Sequence, residues 1–280
     1  MSRKLVTVFS SLWRNVKSLR LYSSPKDVVQ GLSNVSNLRT ILMTLSEDYW
    51  KLLELIGANR KQFDIYVAEI RSDFYFNRCV WEKLRRFKNY LTDYKYKWTG
   101  EISEETGVLL YAIMRYLKPT TVLETGVANG ISTAYILSAL KRNKQGRLFS
   151  VDFPCKQGME SYFNPKEIAL IPSDEDPGWV IPPEFKKRWQ LILGRTSEQL
   201  VGICKRLGHI DVFYHDSEHS YQNMWWEYST VWPFLKQKAI LLSHDVRLNN
   251  AFTDFCSHKN LPGKSLVYKN SLGMLSKAQL

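Results

Sequence analysis

The stretch Thr121 to Thr133 reads T-V-L-E-T-G-V-A-N-G-I-S-T and fixes what the chain around it can become. Thr121, Val122 and Leu123 are a short apolar, β-favouring run, which predicts a buried parallel strand closed by Glu124. Gly126, Ala128 and Gly130 then form a small-residue loop that lets a ligand approach the backbone. Ile131 opens an apolar-periodic segment through Leu140, which predicts a helix. Strand, small-residue loop and helix together make the front half of a βαβ nucleotide site. Such sites bind in the crevice at the carboxyl end of the strand.

The glycine spacing narrows the ligand. G-x-x-x-G is not the dinucleotide fingerprint G-x-G-x-x-G, and no Gly-Lys-Ser/Thr follows as a phosphate loop requires. An acid two residues before the first glycine suits a cationic ligand better than a pyrophosphate. E-T-G-V-A-N-G resembles the first motif of class I S-adenosylmethionine (SAM) methyltransferases, E/D-x-G-x-G-x-G, with Ala128 where the middle glycine usually stands. The resemblance implies that Glu124 lies near the methionine amino group and that Gly126, Ala128 and Gly130 back the cofactor.

The remaining strands each end in polar groups. Leu148 to Val151 is followed by Asp152, placed where a nucleoside-binding βαβ unit holds ribose hydroxyls; a carboxylate can accept from both. Gln190 to Leu193 ends at Gly194, and Arg195, Thr196 and Ser197 follow. The family resemblance places Thr196 and Ser197 near the adenine, whereas Arg195 is less expected there. Ile210 to Tyr214 leads into His215-Asp216-Ser217-Glu218-His219. Ala239 to Leu242 closes on Ser243-His244-Asp245. Three of the 5 histidines therefore fall at the carboxyl ends of two strands, and those ends would share one crevice with Glu124 and Asp152.

Asp216-x-x-His219 with Asp245 resembles the O-methyltransferases that modify sugar and natural-product hydroxyls, the macrocin O-methyltransferase group, over roughly residues 100–280. That resemblance implies an Mg²⁺ ion held by the aspartate after the fourth strand and an acidic pair after the fifth, with the histidine as general base. A base of pKa near ~6.5 suits removal of a hydroxyl proton at neutral pH. His219 is then the base, and Asp216 and Asp245 hold metal or orient it. Here the expected acidic pair is His244-Asp245. Mg²⁺ prefers oxygen, so three outcomes stay open: weaker Mg²⁺ binding, a metal that accepts imidazole, or none. Amine-methylating N/D-P-P-Y/F is absent after the fourth strand. Pro154-Cys155, the dipeptide of cytosine methylation, follows the wrong strand.

Outside this core the chain is helical. Residues 1–24 carry Arg3, Lys4, Arg14, Lys17 and Arg20 with no acid, and an apolar face containing Trp13. That pattern fits peripheral membrane contact, an organelle presequence or a helix docked on the domain. Pro25 to Ser36 reads as a linker, Leu38 to Ile56 as a helix stopped by Gly57, and Lys61 into the low nineties as a second, aromatic-rich helix that serves as core or dimer face. Ser103 is a helix N-cap before Glu104 and Glu105. Residues 153–185 hold six of the 10 prolines and read as a long irregular insertion, with Trp179 as substrate wall or packing anchor. Leu266 to Tyr268 and Leu272 to Ser276 read as a terminal hairpin.

Charge and composition set the outer limits. The net charge is +12, and residues 1–100 hold 18 Lys and Arg against 9 Asp and Glu, so basicity belongs to the N-terminal part. The 4 scattered cysteines point to a reducing, cytoplasmic setting and not to a disulfide framework. No apolar run reaches the roughly 18 residues that span a bilayer. The sequence thus predicts a helical extension over 1–97 and an α/β, Rossmann-like SAM methyltransferase domain over 98–280, its mostly parallel sheet ending in an antiparallel hairpin. The expected activity is methyl transfer to a hydroxyl of a small molecule, a sugar or glycolipid among them, by a monomer or homo-oligomer. A non-catalytic SAM-binding scaffold and an RNA methyltransferase are the alternatives.

Overall fold

The computed structural model describes residues 48–91, 95, 98–156, 158–160, 168–260, 265–268 and 271–277. The expectations for residues 1–24, for the 25–36 linker and for the start of the Leu38–Ile56 helix lie outside the described residues. Within them, α1 (Asp48–Leu55), α2 (Arg60–Arg71), α3 (Phe74–Tyr90) and α4 (Glu104–Leu117) precede the sheet. Then follow β1 (Thr121–Thr125), α5 (Ile131–Asn143), β2 (Arg147–Asp152), β3 (Cys155–Lys156), β4 (Leu170–Ile171), β5 (Trp189–Leu193), α6 (Thr196–Leu207), β6 (Ile210–His215), α7 (Tyr221–Val231), β7 (Leu235–Ser243), α8 (Ala251–His258), β8 (Ser265–Tyr268) and β9 (Leu272–Ser276).

Seven strands form one sheet in the order β5-β2-β1-β6-β7-β9-β8. The first five are parallel, β9 runs antiparallel to β7, and β8 pairs antiparallel with β9. This is the expected Rossmann-like methyltransferase sheet with its terminal hairpin. Successive side chains of a strand point to opposite faces, and the core divides accordingly. Val122, Val212, Tyr214, Ile240 and Leu242 join a cluster with α2 to α5. Leu123, Phe213 and Leu241 join a second cluster with α6, α7 and α8. Apolar on both faces, the central strands read as continuous hydrophobic runs, as buried parallel strands must.

Three local departures have physical causes. The long helix expected from Lys61 is two helices, because Asp73 caps a new one: its Oδ1 accepts from Phe76 N–H at 2.9 Å. The proline-rich insertion contains the short parallel pair β3–β4, with Cys155 opposite Leu170 and Lys156 opposite Ile171. β7 begins four residues before Ala239; its polar Lys236-Gln237-Lys238 stretch lacks the apolar signal, and Lys238 sits at a φ of 64° where the register with β6 shifts. At the other end of the sheet, Asp211 Oδ2 accepts from the Thr120 and Thr121 N–H groups, both at 2.8 Å, and Oδ1 accepts from Lys236 Nζ at 2.7 Å. Among the described residues no helix is long and apolar enough to cross a membrane.

Candidate active site

A cavity of about 460 Å³ opens at the carboxyl ends of β1, β2, β6 and β7, and its wall includes Gly126, Ala128, Asp152, Asp216, His219 and His244. The convergence expected from strand-end residues is therefore physical. At one end stands Asp152. Its Oδ1 accepts from the Val127 N–H at 2.7 Å and the Ala128 N–H at 3.2 Å. Its Oδ2 is buried and has no hydrogen-bond partner among the described residues. Burial pushes this carboxyl above its usual range, against the two backbone N–H groups that hold it down. A buried acceptor left unmade costs about 1–3 kcal/mol, and a ligand hydroxyl reaching Oδ2 would recover it. Thr196 and Ser197, at the start of α6, line the same cavity, and the Arg195 guanidinium lies 4.3 Å from the centre of the Phe153 ring on the cavity wall.

Two residues expected on the cofactor wall are elsewhere. Glu124 is fully buried beneath the loop, where Ser132 and Thr133 hydroxyls donate at 2.9 Å each and Ser150 at 2.7 Å. Burial outweighs these donors and pushes its pKa up to about 7. Gly130 faces the Pro177-Gly178 turn, since a Cβ there would lie 2.5 Å from Gly178 Cα. Gly126 does line the cavity, but its φ of +83° and missing Cβ serve the chain itself: an added Cβ would meet the Asp216 carbonyl oxygen at 1.9 Å. The loop is thus tight because β1 and β6 deliver their ends against each other. Trp179 is a packing anchor, its Nε1–H donating to Asn129 Oδ1 at 2.5 Å and its ring edge-on to Phe87.

At the other end of the cavity Asp216, His219 and His244 draw together. Asp216 Oδ1 lies 3.1 Å from His244 Nδ1 and 3.7 Å from His219 Nε2. Asp245 lies 3.5 Å from His244 Nδ1 through its Oδ1, which also accepts from Ser271 Oγ at 3.2 Å. Burial disfavours the His244 imidazolium, but Asp216 and then Asp245 outweigh it and push its pKa up to about 9. Burial disfavours a charged Asp216 too, yet His244 and His219 hold its carboxyl below the usual range. His219 goes the other way: burial and the neighbouring His215 push it down to about 4. At neutral pH the cluster therefore presents an ion pair, Asp216⁻ with His244⁺, beside an imidazole that is neutral but a weaker base than the ordinary histidine expected from the sequence.

Two supporting residues escaped the sequence reading. Tyr214 donates its hydroxyl to Asp216 Oδ2 at 3.0 Å. Glu227 is wholly buried, with its Oε2 2.8 Å from His215 Nδ1 and 2.6 Å from the donating Thr125 hydroxyl. Its signal was present. Residue 227 falls three positions after Met224 and four before Val231, on the face of α7 that is buried. A carboxylate on that face requires a partner inside, and the histidine-bearing end of β6 is what α7 covers.

Residues 123–246 match the family model described as a methyltransferase domain. Several solved structures are similar to the chain. One is an O-methyltransferase from Bacillus cereus in complex with SAH, 11% identical, covering 82% of this chain and 94% of its own with a TM-score of 0.46. Another is the O-methyltransferase TomG from Streptomyces achromogenes in complex with SAM, 17% identical, covering 74% and 91% with a TM-score of 0.45. A third is the SAH-bound Podospora anserina methyltransferase PaMTH1, 15% identical, covering 78% and 96% with a TM-score of 0.47. A search of curated protein sequences finds no match. The stretch that matches the methyltransferase-domain model runs from within β1 to just beyond β7 and so contains the glycine loop, Asp152 and the histidine cluster.

Proposed function

We propose that the protein transfers the methyl group of SAM to a hydroxyl of a small molecule, with a sugar or glycolipid head group as the acceptor class. The observation that carries this is one cavity with two chemically different ends. Asp152, with a buried acceptor oxygen to spare, suits the ribose of SAM at one end. The Asp216–His219–His244 cluster, containing a neutral imidazole, suits a hydroxyl that must lose its proton at the other. In the reaction the acceptor oxygen attacks the methyl carbon in line. The O–CH₃ bond forms as the S–CH₃ bond breaks, leaving S-adenosylhomocysteine and a proton. His219 takes that proton, and Asp216, held between His244 and Tyr214, stabilises the imidazolium that results. Glu124 acts from beneath the loop and Asp245 through His244.

The test is calorimetric titration of SAM and S-adenosylhomocysteine into the full chain, beside Asp152→Asn. Asparagine keeps an oxygen for the two loop N–H groups and replaces the free acceptor with a donor. Micromolar affinity reduced about 10–100-fold in the variant is expected for loss of charge-assisted hydrogen bonds to ribose. Equal affinity in the two proteins would remove the assignment. In a panel of hydroxylated acceptors, His219→Ala should lose turnover while binding SAM nearly as well as the parent; unchanged turnover would remove His219 from the chemistry.

A further inference from the structure

α3 carries charge of nearly one sign: five Lys and Arg against a single acid, Glu82. Its apolar residues Phe76, Val80, Leu84 and Phe87 are buried against the core, while Arg78, Lys83, Arg85 and Arg86 are exposed. Among the described residues the α3 cation in an ion pair is Lys88, with Glu101, so the outward face is not neutralised from within. We infer that this face, with Tyr90 and Trp98 at its carboxyl end, docks the protein on an anionic lipid bilayer and turns the cavity mouth toward the membrane. The inference extends the glycolipid form of the reading above, in which the acceptor hydroxyl belongs to a lipid head group, but the docking surface itself does not depend on methyl transfer.

Charge complementarity supports the inference first. Each Lys or Arg held near an anionic leaflet strengthens binding about fivefold. Position supports it next. α3 ends against the cavity wall: Phe87 and Leu91 pack with Cys155 and Leu170, Lys88 pairs with Glu101, and both Cys155 and Glu101 line the cavity. Trp98 lines it too, and its carbonyl accepts from the Leu170 N–H at 3.0 Å, which fixes its backbone to β4. The cations therefore stand beside the opening. A bilayer and a nucleic acid are both anionic, and the exposed apolar groups decide between them. Tyr90 is 71% exposed, Trp98 55%, and Leu248 on the cavity wall 64%. Tyr and Trp favour the level of the lipid head groups, with an apolar body and a polar edge. Leu248 fits the acyl boundary and offers no ring on which a base could stack. A nucleic-acid strand is tracked by a basic groove, whereas the α3 cations lie on the outward face of a helix packed on the core. The apolar face of α3 is spent inside the protein, so the helix adheres by charge and does not insert as an interfacial amphipathic helix does.

The test is co-sedimentation of the full chain with sucrose-loaded vesicles of phosphatidylcholine, alone or mixed with phosphatidylserine. The expected result is binding that requires phosphatidylserine and weakens as salt rises. Arg78→Gln, Arg85→Gln and Arg86→Gln should each lose about fivefold in affinity, and the triple variant about 100-fold. Glutamine is a good helix former, so α3 keeps its fold. A control, Lys187→Gln/Lys205→Gln/Arg206→Gln, removes the same net charge from exposed positions elsewhere and should bind nearly as well as the parent. No binding to phosphatidylserine vesicles, an equal loss in the control, or unchanged binding in the α3 triple variant would overturn the surface. Tighter binding to single-stranded poly(U) than to these vesicles, lost in the same variant, would overturn the bilayer as its occupant. Each protein is also titrated with SAM, whose site lies at the Asp152 end and reads folding independently of docking. Vesicle binding by a parent protein that binds no SAM would instead sink the methyltransferase reading and leave the docking surface standing.

Discussion

Ala128 stands where the resembled motif has its middle glycine, and it bears a cost there. Its φ is 45°, in the left-handed region, which costs an L-residue roughly 1–2 kcal/mol. Ala128→Gly removes that strain but returns roughly 0.5–1 kcal/mol of chain entropy to the unfolded state. The net expectation is a protein more stable by about 0.5–1 kcal/mol, read as a rise in the urea midpoint at unchanged slope; a fall would show that the alanine methyl is held by packing. Glu124 is the second telling residue. Its carboxyl is at about 7 in the fold, against about 4.3 in an unfolded chain. The folded state therefore binds more protons, so stability is full below about pH 4 and declines as pH rises toward 7. The whole effect amounts to about 4 kcal/mol at one pKa unit per 1.36 kcal/mol. Glu124→Gln should remove this part of the pH slope, and an unaltered slope would place Glu124 among ordinary carboxylates. The sequence showed an acid at the end of a strand, and the resemblance sent it to the ligand. Nothing local distinguished it from Asp152, because the hydroxyls of Ser132, Thr133 and Ser150 that claim Glu124 come from α5 and β2.

Among elements, the five parallel strands were legible because each is a short apolar run that ends in a polar group. Burial on both faces demands the first, and a ligand crevice at the carboxyl ends favours the second. The break between α2 and α3 was harder, since apolar periodicity runs on through Ser72-Asp73 and only the cap divides it. Asp73 does two jobs there. Oδ1 caps α3, and Oδ2 accepts from Arg142 Nη2 on α5 at 3.1 Å. Asp73→Ala should cost about 1–2 kcal/mol, the cap supplying about 1 and the partly exposed ion pair the remainder. Asp73→Asn keeps a capping oxygen and loses the charge, so it should recover most of that loss in a thermal melt. Equal losses in the two variants would mean that the ion pair to α5, and not the cap, holds the element in place. The charge pattern gave no hint of this pair, because Asp73 and Arg142 are 69 positions apart.

At the scale of the whole molecule, the sequence divides near residue 97, whereas the described helices on the two sides of that point share one core. Leu53, Phe63, Ile70, Phe76 and Leu84 sit in the same cluster as Leu110, Ile136 and Val212. A buried charge pins them together. Glu69 of α2 is 3.0 Å from Arg115 Nε of α4 and 3.7 Å from Arg142 Nε of α5, while Arg115 also bonds Asn143 and stacks 4.6 Å from the Tyr66 ring centre. Removing one member of a buried pair costs about 3–5 kcal/mol, because the remaining charge stays inside unpaired. Glu69→Ala leaves two guanidinium groups without their shared carboxylate, so it should fall in that range although the residue touches neither end of the cavity. The loss should also be collective. Denaturation followed by far-UV circular dichroism and by tryptophan fluorescence should give coincident single transitions, both shifted to lower urea by the substitution. SAM affinity measured well below the midpoint should stay within a few-fold of the parent, since Asp152 and the α6 end of the cavity belong to β2 and β5 and not to α2. Two separated transitions, with only the earlier one moved by Glu69→Ala, would mean that the helices before residue 98 form a unit of their own and that the sheet keeps its site without them.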